Sequence, residues 1–253
     1  MRRTSIFRTE PFFLIGDVIR RETQTYEAVL KSIAVGNRTP QEIGNTLGVS
    51  SSYLSPYLKQ LEELHLVKRH IPATTPPERR KSTKTSQYHL IDPYLRFYFR
   101  FIAPNAELVE QELSQILWGR ISDQFRAFVG MTTFEDLCRE WVLVQARAGK
   151  LPMLPEVVGS HWSADSQVDV VAVNWHDKAI LLGECKWGVD AVGRSVIREL
   201  VDKASKVVPS DGWQVYYIYF ARAGFTDTAR QEGQAVGSML IDLETLDNDL
   251  RKA

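Results

Sequence analysis

Residues 167–187, QVDVVAVNWHDKAILLGECKW, set two apolar, β-branched-rich runs around a short polar break, with Asp169 in the first run and Glu184 and Lys186 at the end of the second. Residues 168–173 and 179–185 each read as a buried strand, and the segment 174–178 between them reads as a turn. A hairpin centred on a two-residue loop, His176 and Asp177, pairs positions symmetrically about that centre and sets Asp169 opposite Glu184. Residues two apart on a strand point the same way, so Lys186 joins Glu184 while Cys185 points to the other side. Carboxylates inside an apolar ribbon are costly unless they have a partner, so this grouping calls for one.

A hard cation is the partner such a pair suits. Two carboxylates at strand-pair distance hold Mg²⁺ (or Mn²⁺), which keeps several waters and can also touch a phosphate. The ion lowers the pKa of a bound water, and an ammonium beside it orients that water or neutralises charge building on the phosphorus oxygens. The competing reading is an ordinary Glu184–Lys186 ion pair at a strand end, because a bare E-x-K is common.

At these residues the chain resembles the PD-(D/E)XK nuclease superfamily, with Asp169 as the motif aspartate and Glu184 and Lys186 as its E-x-K element. No proline precedes Asp169; Val168 stands there. The resemblance implies Mg²⁺-dependent cleavage of nucleic-acid phosphodiesters, with Asp169 and Glu184 as metal ligands and Lys186 as the water-orienting or charge-stabilising group. It also implies an auxiliary glutamate from the first core helix, for which TFEDLCREWVLVQAR offers Glu135, with Glu140 behind it. The family's next helix fits GRSVIRELVDKASKV, which brings Arg198, Glu199 and Lys203 as supporting residues; WQVYYIYFARAGF reads as the strand after it. A longer resemblance is to the C-terminal part of archaeal-type AAA ATPases, where a winged helix precedes a nuclease-like domain of unknown function. It rests on YEAVLKSIAVG, YLKQLEELHLVKR, YHLIDPYLRFYFRFIAPN, FEDLCREWV and the block around GECKW. No G-x-x-x-x-G-K-[ST] occurs, so ATP hydrolysis is not expected of this chain, which is read as standing alone, as a fragment or as the partner of a separate AAA ATPase.

Composition fits a globular protein of one or two domains: 253 residues, 44% hydrophobic and 25% charged. The formal net charge of zero leaves any nucleic-acid footprint to local clustering. Two cysteines, Cys138 and Cys185, make neither a disulfide framework nor a zinc site, which points to a reducing cytoplasm. The apolar patch Phe12 to Ile15 is interrupted by charge too soon for a signal or membrane helix.

The expected fold class is α/β: residues 1–24 an extension, 25–91 a winged helix-turn-helix, 92–130 a helical connector, and 131–253 a PD-(D/E)XK restriction-endonuclease-like domain with a central mixed sheet flanked by helices. In the first domain Tyr26, Val29, Leu30 and Ile33 have helical spacing, ending at Gly36. Thr39, Pro40 and Glu42 form a capping box with proline in the first turn, and a third helix beginning near Ser51 carries Tyr53, Leu54, Tyr57, Leu58, Leu61 and Leu64 as a core stripe. Pro56 requires that helix to start close by. The hairpin 67–90 is then the wing, and it is basic: Lys68, Arg69, Arg79, Arg80, Lys81 and Lys84 stand against Glu78 alone. Its proline and threonine density predicts a mobile loop. Recognition-helix candidates are Ser51, Ser52, Tyr53, Ser55 and Lys59, none an arginine, so strong guanine readout is not expected.

The aromatics of residues 94–101 read as packing rather than a stacking platform. The five histidines have no metal spacing, and His161 reads as a loop residue. The function expected is DNA binding coupled to Mg²⁺-dependent phosphodiester cleavage; the alternative is a non-catalytic DNA- or protein-binding regulator. A homodimer is compatible with either.

Overall fold

The computed structural model describes residues 22–83 and 85–252, so the expected extension lies outside the described residues except for its last three positions, as does Lys84. The chain forms two compact units. One comprises the described residues up to Ile71 together with Thr83–Asp123, and the other comprises Pro72–Ser82 with the described residues from Gln124 onward. The sequence reading sets its boundaries at 24, 91 and 130.

The first unit opens with three helices. Helix α1 (Thr23–Ala34) buries Tyr26, Val29, Leu30 and Ile33, as the spacing predicts. Helix α2 (Pro40–Leu47) starts on the capping box: Thr39 Oγ1 accepts from the Glu42 amide at 3.2 Å and Glu42 Oε2 accepts from the Thr39 amide at 2.9 Å. It ends at Gly48 in the left-handed conformation. Helix α3 (Ser51–Glu63) is capped by Ser50, whose hydroxyl accepts from the Tyr53 amide at 3.2 Å, so Pro56 falls in the second turn. Leu54, Tyr57, Leu58 and Leu61 face inward, but Tyr53 is 47% exposed and Leu64 only half-buried. Tyr53 adjoins Leu54 on the helix and so turns its ring outward, where its hydroxyl meets that of Tyr57 at 3.0 Å. Strands β1 (Val67–His70) and β2 (Gln87–Leu90) pair antiparallel, Val67 with Leu90. Asp92 caps α4 (Pro93–Phe97), which runs into a π turn over Tyr98–Ile102; Tyr98, Phe99 and Phe101 are buried. Helix α5 (Ala106–Glu110) follows, and α6 (Ser114–Phe128) crosses the division between the units.

The second unit is mixed α/β. Its five-stranded sheet has the order β3 (Val157–Trp162), β4 (Gln167–Asn174), β5 (Ala179–Lys186), β6 (Gln214–Ala221), β7 (Met239–Asp242). The first three strands run antiparallel; β5, β6 and β7 run parallel because helices α8 (Arg194–Val207) and α9 (Asp227–Ala235) make the crossovers between them. Helix α7 (Glu135–Arg147) and the last helix, α10 (Leu243–Arg251), cover the other face.

Covering both faces explains the unbroken apolar runs in β4, β5 and β6. Ile180, Leu182 and Tyr219 pack under α8 with Ile197, Leu200 and Ala204, while Leu181, Ile218 and Phe220 pack under α7 with Phe134, Cys138 and Trp141. Gly183 sits where these layers are tightest: a β-carbon there would lie 2.8 Å from both Ile218 Cγ2 and Val170 Cβ. Strand β3 gives little sequence signal, because Gly159, Ser160 and His161 break its alternation; His161 belongs to this strand and is buried, not in a loop.

Candidate functional site

The β4–β5 ladder has the register the spacing predicts, from Asn174 opposite Ala179 to Val170 opposite Gly183. Its loop, 175–178, is four residues rather than two, but the centre is unchanged, so the pairing is too. Asn174 holds that loop, its Oδ1 accepting from the Asp177 amide at 2.8 Å and its Nδ2 donating to Leu154 O at 2.8 Å. Lys178 takes a positive φ of 50° to complete it.

The opposite end of the hairpin is irregular. Between β3 and β4 the register shifts: Gly159 pairs with Val171 but His161 with Val168, so Ser160 faces both Asp169 and Val170. This is a bulge on β4, and its effect is visible in the core, where Val168 and Val171 lie on the same face despite being three apart. The ladder to β5 stops at Val170, and Asp169 Oδ2 instead accepts from the Cys185 amide at 3.0 Å. Burial, then the charge of Glu184, push the Asp169 carboxyl above its usual range, against the Cys185 hydrogen bond and the Lys186 and Arg139 charges.

Glu184 is 8% exposed and is met by two ammoniums. Lys186 Nζ donates to Oε1 at 2.7 Å, and Lys203 Nζ, from α8, donates to Oε2 at 3.4 Å. Burial pulls the Lys186 ammonium down, but the Glu184 hydrogen bond and charge, with Asp169 and Glu199 behind them, raise it overall. The α7 side is organised by Arg139: Nη1 donates to the Asp169 carbonyl at 2.7 Å and lies 3.5 Å from Glu135 Oε2, while Nη2 donates to Asp136 Oδ1 at 2.7 Å. Glu135 therefore stands one guanidinium from the Asp169 backbone, whereas Glu140 is exposed. Cys185 lies against Cys138, and burial first, then that thiol, hold it well above the usual thiol range. Trp187 is packed, its ring 4.9 Å from that of Phe134 and under the Arg222 guanidinium at 4.9 Å.

The structure thus brings Asp169, Glu184, Lys186 and Glu135 to one end of the sheet and adds Arg139 and Lys203 to them. Of the supporting residues, Arg198 turns away to Glu232 on α9, at 2.7 Å. Arg139 has no motif of its own; the only sequence signal for it is its place one turn after Glu135. Among the described residues no three of His, Cys, Asp and Glu gather closely enough to cage a metal. The donor set still fits a hard cation such as Mg²⁺ or Mn²⁺, because burial and the nearby Glu184 charge both disfavour the Asp169 carboxylate, and a divalent ion whose remaining positions are water relieves them. Such an ion meets competition from the two ammoniums on Glu184.

The nucleic-acid candidates divide between the units. Ser52, Tyr53, Ser55 and Lys59 are exposed on α3, with Ser51 half-buried beside them, and Lys59 lies 3.6 Å from Glu63. Lys68 is exposed on β1, while Arg69 donates to the Thr83 carbonyl at 2.8 Å. Arg79, Arg80 and Lys81 belong to the second unit. No helix among the described residues is long and apolar enough to cross a membrane.

Residues 98–196 match the family DUF234, described as archaea bacterial proteins of unknown function. An uncharacterized protein of Methanocaldococcus jannaschii is 34% identical over 245 residues, which are 96% of this chain and 52% of that protein, so the chain spans about half the length of the relative it matches. Among solved structures, the chain is similar to Can2 from Sulfobacillus thermosulfidooxidans in complex with cyclic tetra-adenylate. The identity is 11% and the TM-score 0.30, over 98% of this chain and 55% of that one, and a likeness so low carries no argument.

Proposed function

We propose that the second unit is a Mg²⁺-dependent phosphodiesterase of the PD-(D/E)XK type acting on DNA, and that the first unit is a winged helix-turn-helix that binds the same DNA. The observation that supports the reading best is the bulge on β4, which ends the ladder at Val170 and turns the Asp169 carboxylate to the Cys185 amide, within the charge of Glu184. Bulges re-aim side chains at sites where ordinary pairing would keep them in a ladder.

Asp169 and Glu184 would hold the ion, which supplies an activated water and a positive charge on the phosphate when bound. Lys186 keeps its ammonium protonated and shares it between Glu184 and the oxygen that gains charge in the transition state. Arg139 fixes the bulge through the Asp169 carbonyl, and Lys203 holds the second Glu184 oxygen. Glu135 supplies an auxiliary acid at the Arg139 end.

Incubation of the chain with plasmid, linear and single-stranded DNA in Mg²⁺, beside Asp169→Ala and Lys186→Ala, tests the reading. Cleavage by the wild type alone supports it, and equal cleavage by all three excludes this chemistry. A second reading has its own support: Glu184 is already neutralised by two ammoniums, as suits a non-catalytic DNA- or protein-binding regulator, including a partner of a separate AAA ATPase. That reading predicts binding without cleavage.

A further inference from the structure

Residues 72–82 separate β1 from β2 in sequence, yet they belong to the second unit. Their attachment is specific. The Ala73 amide donates to the Ser160 carbonyl on the outer edge of β3 at 2.8 Å, and Ala73 is fully buried in the core beneath α8. Beside it, Thr74 Oγ1 and His161 Nδ1 lie 2.6 Å apart. His161 is 9% exposed, and burial lowers its pKa, so the imidazole is neutral at neutral pH and adds no charge of its own. Beyond this latch the loop is ordered by its own bonds: the Thr75 amide to Pro72 O at 2.9 Å, the Arg79 amide to Pro76 O at 2.9 Å, and Arg80 Nη1 to Thr75 O at 3.4 Å. Three prolines, Pro72, Pro76 and Pro77, stiffen it further.

What this frame presents is charge. Arg79 and Lys81 are exposed, with Arg80 half-buried between them and Glu78 as the one acid nearby in sequence. The latch residue Ser160 is the one that faces Asp169 and Val170 across the bulge. Ala73, β3 and β4 follow one another across the sheet, so the loop backbone at Ala73, where the segment carrying Arg79 and Lys81 is anchored, stands about two strand spacings, roughly 10 Å, from the backbone of Asp169. That is about three nucleotide steps along a DNA strand. Shielding an open sheet edge accounts for the Ala73 bond. It does not require a buried histidine latch or a basic tip.

We propose that the loop Pro72–Ser82 is a phosphate clamp, in which Arg79 and Lys81, on a backbone latched to β3 at Ser160 and His161, grip the duplex DNA backbone a few nucleotides from the phosphodiester presented to Asp169 and Glu184. The clamp rests on the proposed function for its position relative to the cut, but its binding is measured without cleavage.

The test is binding of labelled duplex DNA in chelator across a salt series, by fluorescence anisotropy, for the wild type, Arg79→Ala/Lys81→Ala and Thr74→Val. The double variant should lower the slope of log affinity against log salt by about 2, one for each phosphate that is no longer neutralised. Thr74→Val keeps every charge and loosens only the latch, so it should weaken binding several-fold with a fall of only a few degrees in thermal midpoint, from the His161 nitrogen left unpaired, and the protein still folded. An unchanged slope in the double variant overturns the clamp, and so does a wild type that fails to bind duplex at low salt. A wild type whose binding depends on the loop but which cuts nothing in Mg²⁺ sinks the phosphodiesterase reading and leaves the clamp standing.

Discussion

At the turn end of the β4–β5 hairpin the backbone is closed: Asn174 pairs with Ala179, and its side chain ties down the four-residue loop. At the other end, a few residues along the same two strands, pairing stops at Val170 and charged side chains take the place of the ladder. The neighbouring strands explain the difference. At the turn end β3 keeps step with β4, Val157 opposite Val173; at the site end Ser160 has to face two residues, and the surplus residue, Asp169, is freed from the ladder. One end therefore contributes stability and the other carries charges that only a ligand or their own neighbours can balance.

The largest expected effect lies at the charged end. Lys186→Ala should reduce Mg²⁺-dependent cleavage by about 10²–10³-fold, with Asp169→Ala at least as severe. Both should bind duplex DNA in chelator as the wild type does, and a gel-based time course beside anisotropy reads both quantities. Next comes the close approach just inside the site. Gly183→Ala pushes a methyl against Ile218 and Val170 and should cost about 1–3 kcal/mol in urea unfolding. A neutral result would mean that the layers at that point are looser than their spacing indicates. At the turn end, Asn174→Ala removes the bond to Leu154 O and should cost about 1 kcal/mol while leaving cleavage untouched. A loss of cleavage there would break the division between the two ends.

The smallest effect has the opposite sign. Asp169 titrates above its ordinary range when folded, so its contribution to stability is full below that range and is lost as pH rises through the raised value. Above the raised range its buried charge therefore costs stability, and there Asp169→Asn, whose amide oxygen still accepts from the Cys185 amide, should melt higher than the wild type in chelator. Each kcal/mol recovered shows as about 2–4 °C. The gap should close as pH falls through the raised carboxyl range, and a gap that widens instead would contradict the stated environment of Asp169.

The hairpin register was legible because it depends on two things written locally, the two apolar runs that become β4 and β5 and the centre of the turn between His176 and Asp177. Even a wrong loop length left that centre in place. The bulge was not legible, since it depends on how β3 meets β4, and VVGSHW carries too little apolar pattern to announce a strand. Composition misleads most at the loop 72–82. Its prolines, threonines and charges read as a mobile wing, but a single small residue, Ala73, fits the core beneath α8 and fixes it there. Tyr53 shows the reverse: its helical spacing suggested core, and the inward face of α3 was already filled by Leu54 and Tyr57. Arg139 was invisible for a different reason, because the acceptor that ties it to the site is the backbone carbonyl of a residue thirty positions away.

In the proposed site the bulge at Asp169 makes it a cation-holding pair with Glu184. Calorimetric titration of Mn²⁺ into the wild type, Asp169→Asn and Glu184→Gln tests it most directly, with thermal unfolding in the same buffers as the check on folding. The account predicts saturable heat and a higher melting midpoint on Mn²⁺ addition for the wild type, by mass action on the folded state, and neither for the two variants. Equal heats and equal midpoint shifts in all three proteins would contradict it.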